Sequence, residues 1–456
     1  MTLLLIACNT GADTGGPARL HIPVLDAPAP PGRTVVWFTI DTLNQDHLGP
    51  DSIHPSSPNH NEFFEEGVLL QNTLVTRGVT VISLPSIATG TYPRTHGVYD
   101  KDIPAPDDMP PMVQELLKDE GWSTFGYSSN ICVMQNRGWN KAVCVDGTPV
   151  AEGLTDRERD QVVVDAFVDD LDHLPPDRDA FFWLHLRDPH VDYSARVPWI
   201  DEFYDGPRED RSPIEGEELR AITLGELEPG DDFENWLEAV YASQVASGDE
   251  MLGQVREALE EAGRWDIVFT GTDHGEELGA HHDYYQHGCS TYEPVLNTTW
   301  SFQAPGLEPA VVDQRVSTTD MLPTLLDLLE IRIPEEIEGR SLVPVAVGQR
   351  TESVPVFFQR GTNTAGTVVD GRKYFLHAGD DLPRCSPFDD DHPWPGPTEG
   401  LYDLDADPDE NDNLNKVEPH SAEKTILCQW VVDYAWGKEY SKALALIQAC
   451  TDHLDE

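Results

Sequence analysis

The stretch TVVWFTIDTLNQDHLG, residues 34–49, opens with seven β-branched or aromatic residues and then meets a carboxylate, Asp41. A run with no polar alternation reads as a strand buried on both faces. STFGYS (123–128), AFFWLHL (180–186) and WDIVFTG (265–271) have the same character. Helical patterns lie between them. PMVQELLKDEG ends in Gly121, DRERDQVVVDAFVDDLDHL starts on acidic residues, and a third pattern covers about 232–262. Strands alternating with helices predict an α/β fold: a mostly parallel sheet flanked by helices. In such sheets ligands bind beyond the carboxyl ends of the strands. The residues just after each strand are therefore the place to look for chemistry.

The chain has 456 residues, 82 acidic against 30 basic side chains and a formal net charge of −52. That balance repels nucleic acid, and no Lys/Arg cluster offers a local exception. It also repels anionic substrates, so an enzyme acting on them needs a local cation, most simply a metal. The N-terminus, MTLLLIACNTGADTGG, resembles a bacterial lipoprotein signal with Cys8 as the lipidated residue, and a Pro-rich tether follows to residue 33. The expectation is an exported protein, held at the periplasmic side or the cell surface. Six further cysteines suit disulfides, with Cys132–Cys144 the expected pair, and no spacing suggests a cysteine metal site. The catalytic domain is expected over 34–348. Beyond it, short strand-like pieces and the Asp370-Gly371 turn predict a smaller α+β subdomain over 349–456.

Three strands end in possible ligands. Asp41 and Thr42 follow the first, His190 follows the 180–186 run, and Asp273-His274-Gly275 follows the 265–271 run. Asp and neutral His suit a divalent cation such as calcium, manganese or zinc. Taken singly, each could be an ordinary turn or cap residue; three together at strand ends point to a site. Ser83, in SLPSIATGTYPRTHGV (83–98), precedes a short helix read as opening at Pro85 and closing at Gly90. A hydroxyl there sits at the positive end of the helix dipole, where an oxyanion is stabilised. Histidines 281 and 282 with Asp283 could form a second metal cluster, although a solvated loop explains them as well.

In this order, VVWFTIDTLNQDHLG, SLPSIATGTYPRTHGV, WLHLRDPHVDY, VFTGTDHGEELG…QHG…YE, STTDMLPTLLDLLEI…EGRSL and LYDLDADPDENDNL resemble the sulfatase family, part of the alkaline phosphatase superfamily. The resemblance implies an alkaline-phosphatase-like fold and one metal held by Asp41, Asp273 and His274. It places the nucleophile, also a metal ligand, at Ser83. His190 would contact the substrate ester, and His287 stands where many relatives put a lysine or histidine against the substrate anion. Thr42 falls where relatives carry a second aspartate, and Asn130 stands near the absent GKWH segment; both are read as substrate-binding.

The departures divide the functional reading. Ile87 replaces the arginine that belongs to the signal for oxidising the nucleophile to formylglycine. With formylglycine at Ser83 the expected activity is sulfate ester hydrolysis. With an unmodified Ser83 it is phosphodiester hydrolysis or phosphoryl transfer, because water readily displaces phosphate from a phosphoserine. A non-catalytic surface lipoprotein that binds anionic glycans is the third reading. In the catalytic readings the Ser83 oxygen attacks in line, and His190 or His287 protonates the leaving alcohol.

Overall fold

The computed structural model describes residues 32–49, 52–99, 105–130, 137–207, 213–378, 387–388, 392–417 and 421–436. Cys8 with its tether, and Cys132, Cys385 and Cys450, lie outside them. Nine strands build the large sheet: β1 (Thr34–Ile40), β2 (Val68–Leu74), β3 (Ser123–Ser128), β4 (Lys141–Cys144), β5 (Ala180–Leu186), β6 (Ile267–Thr272), β7 (Asn297–Gln303), β8 (Ala310–Val312) and β9 (Val316–Ser317). Their order is β4-β3-β5-β1-β6-β7-β2-β8, with β9 also paired to β2. From β4 to β6 all pairings are parallel, and β7 enters antiparallel.

β1 is buried along its whole length and splits its side chains by twos. Val36, Phe38 and Ile40 join a core with Phe182, Leu184 and Leu186, covered by the helices Asp156–Asp172 and Phe233–Ala262. Val35 and Trp37 join the opposite core with Phe181, Trp183 and Phe269, covered by the helices Thr80–Thr89, Val113–Asp119 and Met321–Leu328. The Trp37 ring packs within 5.1–5.8 Å of the Trp183, Phe181 and Phe269 rings. An unbroken apolar run is therefore required, because both faces of the strand are interior.

A second, antiparallel sheet holds β10 (Val356–Arg360), β11 (Thr364–Val369), β12 (Arg372–His377) and β13 (Glu399–Asp403) in sequence order. Asp370 and Gly371 both take positive φ, 48° and 70°, the geometry of a type I′ hairpin turn. One face of this sheet packs on Tyr284, Tyr292 and Val295 of the large domain, and the other carries the helix Ala422–Trp436.

An ion cluster ties the two sheets together. Lys373 on β12 has no solvent exposure, and its Nζ lies 2.8 Å from Glu410 and 3.1 Å from Glu293. Arg315 reaches the other Glu293 oxygen at 2.7 Å. Burial drives the Glu293 carboxyl upward, but Arg315 and Lys373 outweigh it and leave the group below its usual value. Burial takes Glu410 up to about 7 despite Lys373. Replacing Lys373 by Met strands Glu410 and half-strands Glu293. We expect a loss of about 3–5 kcal/mol in urea unfolding; a loss below about 1 kcal/mol would show that the cluster contributes little to joining the sheets.

Candidate active site

The carboxyl ends of β1, β5 and β6 are level. Ile40 pairs with Leu186 on one side and Thr272 on the other, and the Asp41 N–H continues the ladder to the Leu186 carbonyl at 2.9 Å. Asp41 and Asp273 thus leave neighbouring strands side by side. With His274 they form a wholly buried group whose ligand atoms lie within 4.8 Å of one another. The His274 Nδ1 donates to the Gly275 carbonyl at 2.9 Å, which leaves Nε2 facing Asp41 at 3.7 Å and Asp273 at 3.5 Å. Gly275 has no alternative, since a Cβ there would stand 2.0 Å from the Pro294 carbonyl oxygen.

This donor set fits a divalent cation. Burial, then the neighbouring Asp273, holds the Asp41 carboxyl well above its usual range, and burial takes Asp273 up to about 7. Burial, then His287, lowers His274 to about 4, so its ring is neutral and able to coordinate. One Asp273 oxygen, Oδ2, is buried without a hydrogen-bond partner. Two buried carboxylates with a converging imidazole lone pair call for a positive charge between them.

The hydroxyl beside this group belongs to Thr80. Its Oγ1 lies 3.3 and 3.4 Å from the two Asp41 oxygens and 3.3 Å from His274 Nε2. Ser83, the expected nucleophile and ligand, instead donates to the Asp273 main-chain carbonyl at 2.6 Å. The reason is where the helix starts. It runs from Thr80 to Thr89 with Pro85 inside it, so the positive dipole end falls on Thr80 and Ser83 sits one turn in. Gly90 closes it at φ 62°, as expected. Counting back from Gly90 was the available signal: a helix opening at Pro85 has only five residues, well short of the average of about 10–14.

The His190 and His287 rings lie 5.4 Å apart, with His287 4.4 Å from the His274 ring. His190 Nδ1 donates to the Val191 carbonyl at 2.6 Å. Burial, then Arg187, keeps His190 well below its usual pKa; burial, then Arg77, takes His287 to about 3. The Asn130 amide donates to Asp41 Oδ2 and receives Arg187 Nη1 on its oxygen at 3.0 Å, so it braces the carboxylate. Thr42 lies in the left-handed region at φ 54°. Its carbonyl accepts from Tyr241 at 2.5 Å, and its buried hydroxyl has no partner. Sequence reasoning missed Arg187, Arg77, Tyr193 and Glu276, which the chain brings in from loops. Glu276 is fully buried, with its carboxyl raised to about 8 by burial, and it meets His287 Nδ1 at 3.0 Å. The proposed second cluster does not form. His281 turns to Glu277 and the Asp409 carbonyl, whereas His282 turns to the Tyr292 hydroxyl.

A helix-start hydroxyl and a carboxylate–imidazole group at the ends of a doubly covered parallel sheet define the class. The family model described as Sulfatase matches residues 33–331, and the chain belongs to the sulfatase family. It is 29% identical to arylsulfatase K of Xenopus laevis over 209 residues, 43% of this chain and 37% of that protein. The match thus spans about a third of the length of such curated relatives. Its fold is similar to that of the phosphonate monoester hydrolase SpPMH from Silicibacter pomeroyi, with TM-score 0.69, 19% identity and coverage of 88% of this chain and 95% of that one. A protein solved with its substrate D-glucosamine-2-N,6-O-disulfate gives TM-score 0.68, 14% identity and coverage of 91% and 99%.

Supplying manganese, zinc or calcium at a hundredfold excess over its Kd should stabilise the protein by about 2.7 kcal/mol, read as a rise in melting temperature. Asp273→Ala should erase that rise for the same ion. An undiminished rise in this variant would take Asp273 out of the metal group.

Proposed function

We propose that this chain is a metal-dependent hydrolase of phosphoric, phosphonic or sulfuric esters, that Thr80 is its covalent nucleophile, and that esters of phosphorus are its better substrates. The observation that carries this reading is the Thr80 hydroxyl set between Asp41 and His274. A divalent cation held by Asp41, Asp273 and His274 supplies charge neutralisation for the substrate oxyanion and a lowered pKa for the adjoining hydroxyl. Thr80 then needs no further base of its own. Its helix start adds free N–H groups and the positive dipole end where the transferring group must sit. His190 and His287 stand on the leaving-group side.

Formylglycine requires a primary Cβ. Thr80 carries a methyl there, so oxidation would give a ketone with no aldehyde hydrate to eliminate sulfate. Ser83 has the right carbon, but its oxygen is engaged by the Asp273 carbonyl. A threonine sulfate has no easy exit, whereas water displaces phosphate from a phosphothreonine. Sulfate ester hydrolysis remains the second reading, favoured by relatives named as arylsulfatases. Their names, and the sulfated sugar bound by one structural neighbour, make a sugar ester a reasonable substrate class. Disulfides at Cys144, Cys289 and Cys428 support an exported protein, in line with a lipid anchor at Cys8.

The test compares an aryl phosphodiester, an aryl phosphonate monoester and an aryl sulfate with each metal supplied. We expect both phosphorus esters to be cleaved faster. Thr80→Ala should lower kcat at least about 1000-fold and Thr80→Ser should restore most of it. Ser83→Ala should lower kcat less than about tenfold, its main cost being about 1–3 kcal/mol of stability from the Asp273 carbonyl left unpaired. A dead Ser83→Ala beside an active Thr80→Ala would return the nucleophile to Ser83, and faster sulfate cleavage would favour the second reading.

A further inference from the structure

The His281 ring lies between two acceptors from distant parts of the chain. Its Nδ1 is 3.0 Å from the Glu277 carboxylate, and its Nε2 is 2.9 Å from the Asp409 main-chain carbonyl. A neutral imidazole carries one N–H and can donate to only one of them; both bonds together need the imidazolium. Glu277 is buried, and its other oxygen accepts from the Ser290 hydroxyl, which itself accepts from the Tyr292 N–H at 2.9 Å. The Tyr292 ring lies flat against His281 with centroids 3.9 Å apart, a face that suits a cation. Asp409 belongs to the loop 404–413, which follows β13. His281 belongs to the segment 273–287, which opens on Asp273 and His274 and closes on His287. A second anchor of the loop is Glu410, whose Oε2 accepts from the Glu293 N–H at 2.6 Å. A cavity of about 840 Å³ beside these contacts is lined by Asn44, His281, Glu293 and Asp409, so the loop has space in which to shift.

We propose that His281 is a proton-operated latch: as the imidazolium it fastens the loop 404–413 to the segment 273–287, and it releases that loop when the proton leaves. Glu277 faces Nδ1, Asp409 and Glu410 approach from the loop, and His282 and Asp283 adjoin the ring on its own segment. Asp46 faces Asp409 from the large domain. Burial opposes the charged ring, but the bond to Glu277 and its charge, then the Asp409 carbonyl and Glu410, outweigh it and hold His281 above its usual value. Burial, then His281 itself, lowers His282. A histidine raised in the fold adds stability that is complete below about pH 6.5 and is lost as pH climbs through the raised value. When the proton goes, Glu277 keeps the remaining N–H on Nδ1. The Nε2 lone pair then stands against the Asp409 carbonyl oxygen, and the contact turns repulsive.

Amide hydrogen exchange of the full chain, corrected for the intrinsic rate, tests the latch at about pH 6 and about pH 8.5, on either side of the histidine range. Peptides covering 404–413 should lose about tenfold or more in protection at the higher pH, while β1 and β5 keep theirs. His281→Gln retains one donor and has nothing to titrate. Its loop should be less protected at the lower pH and should change less than about twofold between the two. Glu410, raised to about 7 by burial, titrates in the same range, so Glu410→Gln separates the two groups and should keep the tenfold response. Where His281→Gln does not fold, Glu277→Gln takes its place, since withdrawing the carboxylate should flatten the response in the same way. Protection of 404–413 that is independent of pH in the wild type overturns the proposal. So does a full response surviving in His281→Gln or Glu277→Gln, or one abolished in Glu410→Gln.

Discussion

Asp41 and Asp273 are two carboxylates without solvent exposure, set side by side by the register of β1 and β6. Unit charges less than 5 Å apart repel by roughly 3–4 kcal/mol at an effective dielectric of 20. Desolvation adds to that. The sheet imposes the juxtaposition, so the surroundings must supply positive charge or protons. Nearly everything that touches the pair does so: the imidazole of His274, the amide of Asn130 with Arg187 behind it, and the hydroxyl of Thr80 at a helix start. The site is what an α/β sheet makes of two aspartates that cannot leave.

Keeping those donors aimed is the task of a second set of buried groups. Asp160, on the helix Asp156–Asp172, accepts from the Ser129 hydroxyl at 2.5 Å and from the N–H groups of Arg187 and Asp188 at 2.9 and 3.2 Å. One carboxylate thus pins both the turn carrying Asn130 and the loop carrying His190. Arg196 locks Asp188 with bonds of 2.8 and 2.6 Å. Asn44 does the same across the site: its side-chain amide donates to the Glu276 carbonyl and accepts from the Glu276 N–H. Such groups cost free energy to bury, and they are tolerated because each is almost fully hydrogen-bonded.

The large architecture was legible in the sequence because burial on both faces leaves a direct trace. The runs at 34–40, 123–128 and 180–186 are strands to the residue. Asp41, Asp273 and His274 were legible because the carboxyl-end rule names positions, not contacts. The helix start was misplaced because Pro85 looked like a helix opener; a proline one turn inside a helix leaves the same local pattern. Glu276 and Arg187 left no readable trace. Their parts depend on Asn44, Tyr193, Asp156 and Asp160, which lie far away along the chain.

The charge distribution bears on the kind of ester this site accepts. His287 brings no standing charge to the site: burial and Arg77 hold its ring neutral, with Nδ1 3.0 Å from the Glu276 carboxyl. Arg187 is matched by Asp156 at 3.0 Å. A divalent cation held by Asp41, Asp273 and His274 would be balanced by the two carboxylates without leaving a surplus. Such a site has little positive charge to spare, and the chain as a whole carries a formal net charge of −52. Phosphate monoesters, dianionic at neutral pH, would be poorly balanced. Phosphodiesters, phosphonate monoesters and sulfate esters each bring a single negative charge, and with Thr80 as the proposed nucleophile only the phosphorus esters would give an intermediate that water can clear. On the proposed reading, charge favours a monoanionic ester and a nucleophilic Thr80 favours phosphorus over sulfur.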